Sequence, residues 1–154
     1  MTPTEPADES SRLEALDSCR IVNTPPEESF DRLTALARKL FSVRLALITV
    51  VTADRLWVKS SSGEDRLDEL PREHSFCTHA VEADEALICE DASADPRFAD
   101  KPVVCNSPNM RFYAGMPLRP DGQHMVGTLC LLDDQPRSLS EEEVDILTNL
   151  THQA

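Results

Sequence analysis

The stretch "ALITVVTADRLWVKSSSG", residues 46 to 63, decides the fold. From Val43 to Val51 almost every residue is apolar or β-branched and no alternating polar face is present, which predicts a central strand buried on both sides. "TAD" at 52 to 54 breaks the run, and the Asp54 side chain can bond its own backbone to make the turn. "RLWVKS", residues 55 to 60, then returns as the hairpin partner, with Trp57, the only tryptophan, packed against the central strand. The polar residues from 60 to 73 read as the loop that follows.

Upstream, Thr24-Pro25-Pro26-Glu27 puts proline in a first helical turn and Glu at the reciprocal capping position. Phe30, Leu33, Ala37, Leu40 and Phe41 continue at helical spacing, so an amphipathic helix is expected over 26 to 41. Ser11-x-x-Glu14 is a second capping pattern, ahead of Leu13 and Leu16. Residues 1 to 10 offer no apolar face and read as a disordered lead, which leaves 11 to 154 as the folded domain.

Downstream, Ser75 caps a short helix to about Ala83, and "ALICE" at 86 to 90 reads as a strand. Residues 91 to 110 are rich in Pro, Asp and Asn, with Asp95-Pro96 opening one helical turn. Compact domains rarely carry so long a connection without a use, so this one is expected to wall a pocket or cover a sheet face. Two further central strands, 111 to 118 and 124 to 133, are joined by a turn at Asp121-Gly122. The last helix has the clearest start: Ser140 and Glu143 form a capping box, Leu139 and Val144 a hydrophobic staple, and Glu141 to Glu143 suit the helix dipole. The sum is an α/β (α+β) chain with a single, mainly antiparallel sheet of five or six strands. Terminal helices lie on one of its faces, short helices and long loops on the other.

Bulk properties narrow the function. At 154 residues, 40% apolar and 28% charged, the chain suits one globular domain. Its longest apolar run, Leu45 to Val51, is far below the ~20 residues that cross a bilayer. "MTPTEPADESS" lacks the positive start and apolar stretch of a signal peptide, so a cytoplasmic location is expected, away from any membrane. A net charge of −13 repels phosphate backbones and argues against nucleic acid. Five cysteines without paired CxxC spacing argue against a disulfide framework or structural zinc.

Taken together, "TPPEESFDRLTALARKLF", "ALITVVTADRLWVKSSSG", "REHSFCTHAV", "DPRF", "RFYAGMPL" and "GTLCLLDDQPRSLSEEE" resemble the GAF domain. The branch is that of bacterial histidine kinases and diguanylate cyclases and of short free-standing proteins. The resemblance covers residues 12 to about 150. It implies an antiparallel sheet with a terminal helix pair on one face and a small-molecule pocket under the long loops on the other. GAF domains are similar in fold but not in ligand: some bind cyclic nucleotides, tetrapyrroles, haem or small metabolites, and some only dimerise.

Within that pocket region the residues carry two readings each. Cys77 shares a helical face with Ala80 and Val81, as a packing residue would. It also lies in a first helical turn with Arg72 and His74 near in sequence, as a reactive thiol would. His79 falls on the Phe76 side, away from Cys77, and His74 with Cys77 is only two ligands, so no metal is expected. The bilin-carrying GAF domains attach chromophore through a cysteine directly followed by histidine. Here Thr78 intervenes, which argues against a covalent bilin. Cys89 and Cys130 fall inside strands as core, whereas Cys105 sits in a loop as the oxidation-prone thiol.

In "RFYAG", Arg111, Tyr113 and Gly115 point one way, Phe112, Ala114 and Met116 the other. Arg111 and Tyr113 are either structural or offer hydrogen bonds to a polar or anionic ligand, with Gly115 leaving room for it. Asp91, Asp95 and Arg97 line the same loops. The ligand-binding set is therefore Phe76, Cys77, His79, Asp91, Arg97, Arg111 and Tyr113. The leading reading is a non-catalytic sensory domain that binds an unidentified small molecule and signals through its terminal helices. Its output would be a kinase or diguanylate cyclase domain, in cis or in trans. One alternative is a redox enzyme similar to the free methionine-(R)-sulfoxide reductases, although their closely spaced loop cysteines are missing. The other is a ligand-free module that makes a homodimer through the helix at 26 to 41 and Leu139 to Leu150.

Overall fold

The computed structural model describes residues 9–19, 24–25, 27–63, 69–71, 76–105, 109–120 and 122–152. In chain order the elements are α1 (Glu9–Cys19), α2 (Glu28–Phe41), β1 (Leu45–Val51), β2 (Arg55–Gly63), β3 (Glu69–Pro71), α3 (Phe76–Ala83) and β4 (Leu87–Cys89). A 3-10 turn (Ala92–Ala94), α4 (Pro102–Cys105), β5 (Phe112–Leu118), β6 (Gly127–Asp133) and α5 (Glu141–Thr151) complete it. Six strands run in the order β3-β2-β1-β6-β5-β4, every neighbouring pair antiparallel.

All seven residues of β1 are buried, because β2 and β6 flank it and both sheet faces are covered. Its side chains alternate between two cores. Leu45, Leu47 and Val51 join Phe76, Cys77, Ala80 and Val81 of α3 on the loop face. Ala46 and Ile48 join Ala37 and Phe41 of α2 and Leu147 of α5 on the helix face. Val50 meets Leu16 of α1. The layering is the expected one.

Four details depart from expectation. First, α1 begins at Glu9 rather than Ser11, and Ser11 lies inside the helix. What seats α1 is Leu16 together with the buried Arg12, whose Nη1 donates to the Val51 carbonyl at 2.8 Å while Glu9 takes the rest of the fork. Residues 1 to 8 of the expected lead lie outside the described residues.

Second, α2 starts at Glu28 behind an extended Glu27 with no side-chain cap. Thr24 is occupied elsewhere. Ile48 pairs with Ser60 and Thr49 with Val58, so Lys59 is the extra residue of a β-bulge in β2. Its side chain is fully buried, with Nζ at 2.7 Å from both Thr24 Oγ1 and the Pro25 carbonyl and 2.6 Å from Glu27. The ammonium also lies over the Phe30 and Trp57 rings, so one bulge pins the approach to α2 onto the sheet.

Third, residues 61 to 63 continue β2 and residues 69 to 71 form an edge strand, where a loop was expected. Ser60 is tolerated in β2 because α2 supplies partners: its Oγ lies 2.6 Å from Asp31 Oδ1 and 2.9 Å from Thr34 Oγ1. Fourth, β6 starts at Gly127, three residues late. A Cβ there would strike the Thr49 carbonyl, so only glycine lets the two central strands approach so closely. Gly122, at φ +74°, closes the preceding turn with its N–H on the Arg119 carbonyl at 2.9 Å; Asp121 lies outside the described residues.

The end of the chain folds as read. Ser140 Oγ accepts from the Glu143 N–H at 3.1 Å and Glu143 Oε1 accepts from the Ser140 N–H at 3.0 Å, a cap that stabilises by about 1 kcal/mol. Among the described residues, no helix is long and apolar enough to cross a membrane.

Candidate functional site

The loop face of the sheet carries a buried polar hub. Thr49 of β1, Tyr113 of β5, and Thr128 and Cys130 of β6 all point toward α3, where Cys77 meets them. Around Cys77 Sγ lie Thr128 Oγ1 at 3.1 Å, the Tyr113 hydroxyl at 3.2 Å, Thr49 Oγ1 at 3.3 Å and Cys130 Sγ at 3.9 Å. The two threonine hydroxyls also bond each other at 3.1 Å. Among the described residues, no buried side-chain nitrogen or oxygen lacks a partner.

This arrangement sorts the thiols electrically. Burial pushes the Cys77 thiol up, but its neighbours Cys130, Thr128, Thr49 and Tyr113 together outweigh that and hold it down, at about 6. The physical reason is that a thiolate here collects several donors at once, the Cys130 S–H among them. Cys130 is driven the other way, well above its ordinary value, by that same bond and then by burial. Tyr113 is raised by burial and by the adjoining sulfurs, so its hydroxyl stays a donor.

Aromatic packing carries the hub outward. Tyr113 stacks on Phe76 with centroids 5.0 Å apart, and Phe76 leans on Phe98 at 4.8 Å. His79 presents its edge to Phe98 at 5.1 Å. The Arg97 guanidinium lies over the same ring at 4.9 Å. Arg97 is forked onto Asp95 at 2.7 and 3.1 Å, a pairing that holds the Asp95 carboxyl down to about 2. His79 is lowered, first by burial and then by the positive charges of Arg97 and Lys101. Cys89 is pushed up to about 11 by burial and then by the Asp95 charge. A wide, solvent-open hollow of about 890 Å³ runs past Ile88, Glu90, Asp91, Asp95 and Arg97.

Comparison with known proteins places these features. The sequence profile of the GAF domain matches residues 25–154. The chain belongs to the GAF domain family. This GAF domain is 37% identical over 147 residues to a cyclic di-GMP phosphodiesterase of Pseudomonas aeruginosa, a match that takes in 95% of the chain. It spans 25% of that relative's length. Among solved structures, the GAF domain of an Acinetobacter phosphoenolpyruvate-protein phosphotransferase superposes with a TM-score of 0.67 at 18% identity. That match covers 96% of this chain and 90% of the other. A free methionine-R-sulfoxide reductase from Neisseria meningitidis superposes with a TM-score of 0.66 at 18% identity, covering 97% and 89%. At such identities the likeness is one of fold alone.

The expected ligand set of this GAF domain divides into three groups. Phe76, Cys77 and Tyr113 converge in the hub, all buried. His79 and Arg97 meet across Phe98. Asp91 and Arg111 serve local structure. The Asp91 carboxylate accepts from the backbone and hydroxyl of Ser93 at the start of the 3-10 turn. Arg111 Nη1 donates to the carbonyls of Val104 and Met110, tying α4 to β5. Gly115 does leave room, but the Tyr113 ring fills it: a Cβ at Gly115 would meet the Tyr113 hydroxyl. The interior expected to hold a ligand is thus packed with the domain's own side chains. A largely apolar cavity of about 600 Å³ lies on the opposite face instead, bordered by Phe30, Ile48, Val50, Met116, Val126 and Thr148.

Sequence reasoning missed Thr49, Thr128, Cys130 and Phe98 as members of the site. Thr49 carried a signal, being the one hydroxyl inside "LALITVV". The others look like ordinary strand and loop residues until the fold brings them together. Cys105 is exposed, as expected for a loop thiol, and Cys89 and Cys130 are buried. The capping role expected of Ser75, and the proximity of Arg72 and His74 to Cys77, lie outside the described residues.

Proposed function

We propose that this GAF domain is a non-catalytic sensory module of bacterial signal transduction. It takes a small polar molecule on its loop face and passes occupancy through its terminal helices to an output domain in cis or in trans. The observation that carries this reading is the alternation along β5. Tyr113 belongs to the hub, while its neighbours Phe112 and Ala114 belong to the cluster that Leu147 of α5 also joins. A shift of the strand on one face therefore moves residues packed under α5 on the other. Close packing transmits such shifts because interiors have little free volume.

The ligand site is His79, Asp95 and Arg97 around Phe98, with Tyr113 and Phe76 beneath it as the floor that would move. The relative's cyclic di-GMP phosphodiesterase activity supports an output concerned with cyclic di-GMP, to be tested beside kinase and diguanylate cyclase outputs. Leu36, Leu40 and Ile146 are exposed on α2 and α5, which supports a homodimer through these helices. The reductase reading is weaker. Cys77 is buried, and the Cys105 thiol of α4 donates to the Asp100 and Lys101 carbonyls of its own segment.

The test is native against denaturing mass spectrometry of the protein isolated from its source cells. A mass lost on denaturation, and diminished in Arg97→Ala, is the expected result. A bare chain in both spectra, or turnover of free methionine-(R)-sulfoxide, would sink the sensory reading.

A further inference from the structure

We infer that Cys77 and Cys130 form a reversible disulfide in response to hydroperoxide, locking α3 onto β6. This goes beyond ligand sensing and does not require that a ligand bind. The two sulfurs are 3.9 Å apart, against about 2.05 Å in a disulfide. Less than about 2 Å of approach separates two thiols from a bond.

The surroundings of the five cysteines single out this pair. Cys19 and Cys105 are exposed, and each turns its S–H onto backbone carbonyl oxygen of its own segment, Ala15 for Cys19 and Asp100 and Lys101 for Cys105. Cys89 faces the Asp95 carboxylate at 3.7 Å, which disfavours a thiolate. Cys77 alone has three hydroxyls converging on sulfur, from Thr49, Thr128 and Tyr113. Thr49 and Tyr113 donate to that sulfur, and Thr128 bridges it to Thr49; a neutral thiol is a weak acceptor, so this convergence is better matched to a sulfur bearing negative charge. The lowered titration of Cys77 and the raised titration of Cys130 agree with that geometry. The convergence of hydroxyls on Cys77 assigns it as the attacking sulfur and its neighbour Cys130 as the resolving one.

The chemistry balances with hydrogen peroxide as oxidant. The Cys77 thiolate attacks one peroxide oxygen and the O–O bond breaks. Hydroxide leaves and takes a proton to become water, and Cys77 becomes a sulfenic acid. Cys130 sulfur then attacks the sulfenic sulfur. The S–O bond breaks, hydroxide leaves with the Cys130 proton as a second water, and the S–S bond is formed. Two thiols have lost two electrons and the peroxide has gained them.

Access comes from the size of α3, eight residues or about two turns. Opening of this one helix, short of unfolding the domain, is enough to admit oxidant, and peroxide is little larger than water. Because Cys77 adjoins Phe76, and Phe76 stacks on Tyr113 and leans on Phe98, closing the S–S bond moves the floor beneath His79 and Arg97. Oxidation and the loop face are thereby linked.

The test uses the full chain and a variant lacking the exposed thiols, Cys19→Ser with Cys105→Ser. Each is exposed to hydrogen peroxide, alkylated in denaturant and digested without reduction for mass spectrometry. The expected product is a peptide pair joined through Cys77 and Cys130, lighter by two hydrogens and separated by dithiothreitol. The variant should form it to the same extent as the parent chain. Both thiols remaining open to alkylation after Cys19 and Cys105 have been oxidised would overturn the inference. Linkage of Cys77 to another cysteine, or over-oxidation of Cys77 with Cys130 still free, would overturn it equally.

Discussion

The two faces of one sheet follow different rules. On the helix face, Phe112, Ala114, Met116, Leu129 and Leu131 meet Ala37, Phe41 and Leu147 in an apolar cluster. On the loop face the same strands contribute Tyr113, Thr128 and Cys130, joined by Thr49 and Cys77 into a buried network of hydroxyls and thiols. The helix face is stabilised by burial of apolar side chains, which carry no titratable group. The loop face is held by groups whose protonation and redox state can change. Strand alternation is what allows one sheet to hold a structural face and a responsive face back to back.

Neighbouring residues of β5 give the sharpest way to break this contrast. Phe112→Ala empties the helix face and should destabilise by about 3–5 kcal/mol, read as a drop in the urea midpoint. A smaller loss with Phe112 than with loop-face truncations would undo the assignment of stability to the helix face. Gly115→Ala pushes a methyl against the Tyr113 hydroxyl and should cost about 1–3 kcal/mol. Its partner Gly115→Ala with Tyr113→Phe should recover part of that loss, since the hydroxyl is the group struck.

The pH response sharpens the contrast further. Cys77 titrates at about 6 in the fold against an ordinary value of 9.0. Between those values the unfolded chain binds the proton that the folded one has released, so stability rises with pH. It is fully present above about 9 and lost as pH falls through about 6. Urea midpoints from pH 6 to 8 should climb in the parent chain relative to Cys77→Ser. Parallel curves for the two proteins would show that the donors around Cys77 do not hold a thiolate. Tyr113→Phe removes one donor at a cost near 1 kcal/mol and should flatten the same slope. Smallest of all, Ser140→Ala should lower stability by about 0.5–1 kcal/mol and leave the pH slope unchanged, because the cap belongs to the helix side.

Much of this was legible in the residues themselves. The seven-residue run at Leu45 to Val51 announces a central strand because no other environment suits a segment apolar on both sides. Ser140-x-x-Glu143 announces a helix start because the bonds it makes are local. The failures were local rules overridden from a distance. Thr24 reads as a cap but bonds Lys59, which a bulge in β2 turns toward it. Residues 61 to 63 read as loop but continue the strand in which Ser60 is bonded to α2. Gly115 reads as space for a ligand but holds the Tyr113 ring. Arg111 reads equally as structural or as a ligand donor, and here it ties α4 to β5.

By itself the sequence determined most of the element order, β3 excepted, the two-sided burial of the central strands and the side each β5 residue faces, and its motifs carried the family resemblance. The first three follow from periodicity and capping, which act over a few residues. Only the tertiary structure decided that Cys77 meets Cys130, Thr49, Thr128 and Tyr113, from positions 28 to 53 residues away. It also decided that Phe98 bridges His79 and Arg97. Contacts at such separation are set by strand order and register, which no short pattern encodes, and they are what turns an unremarkable cysteine into the centre of a site.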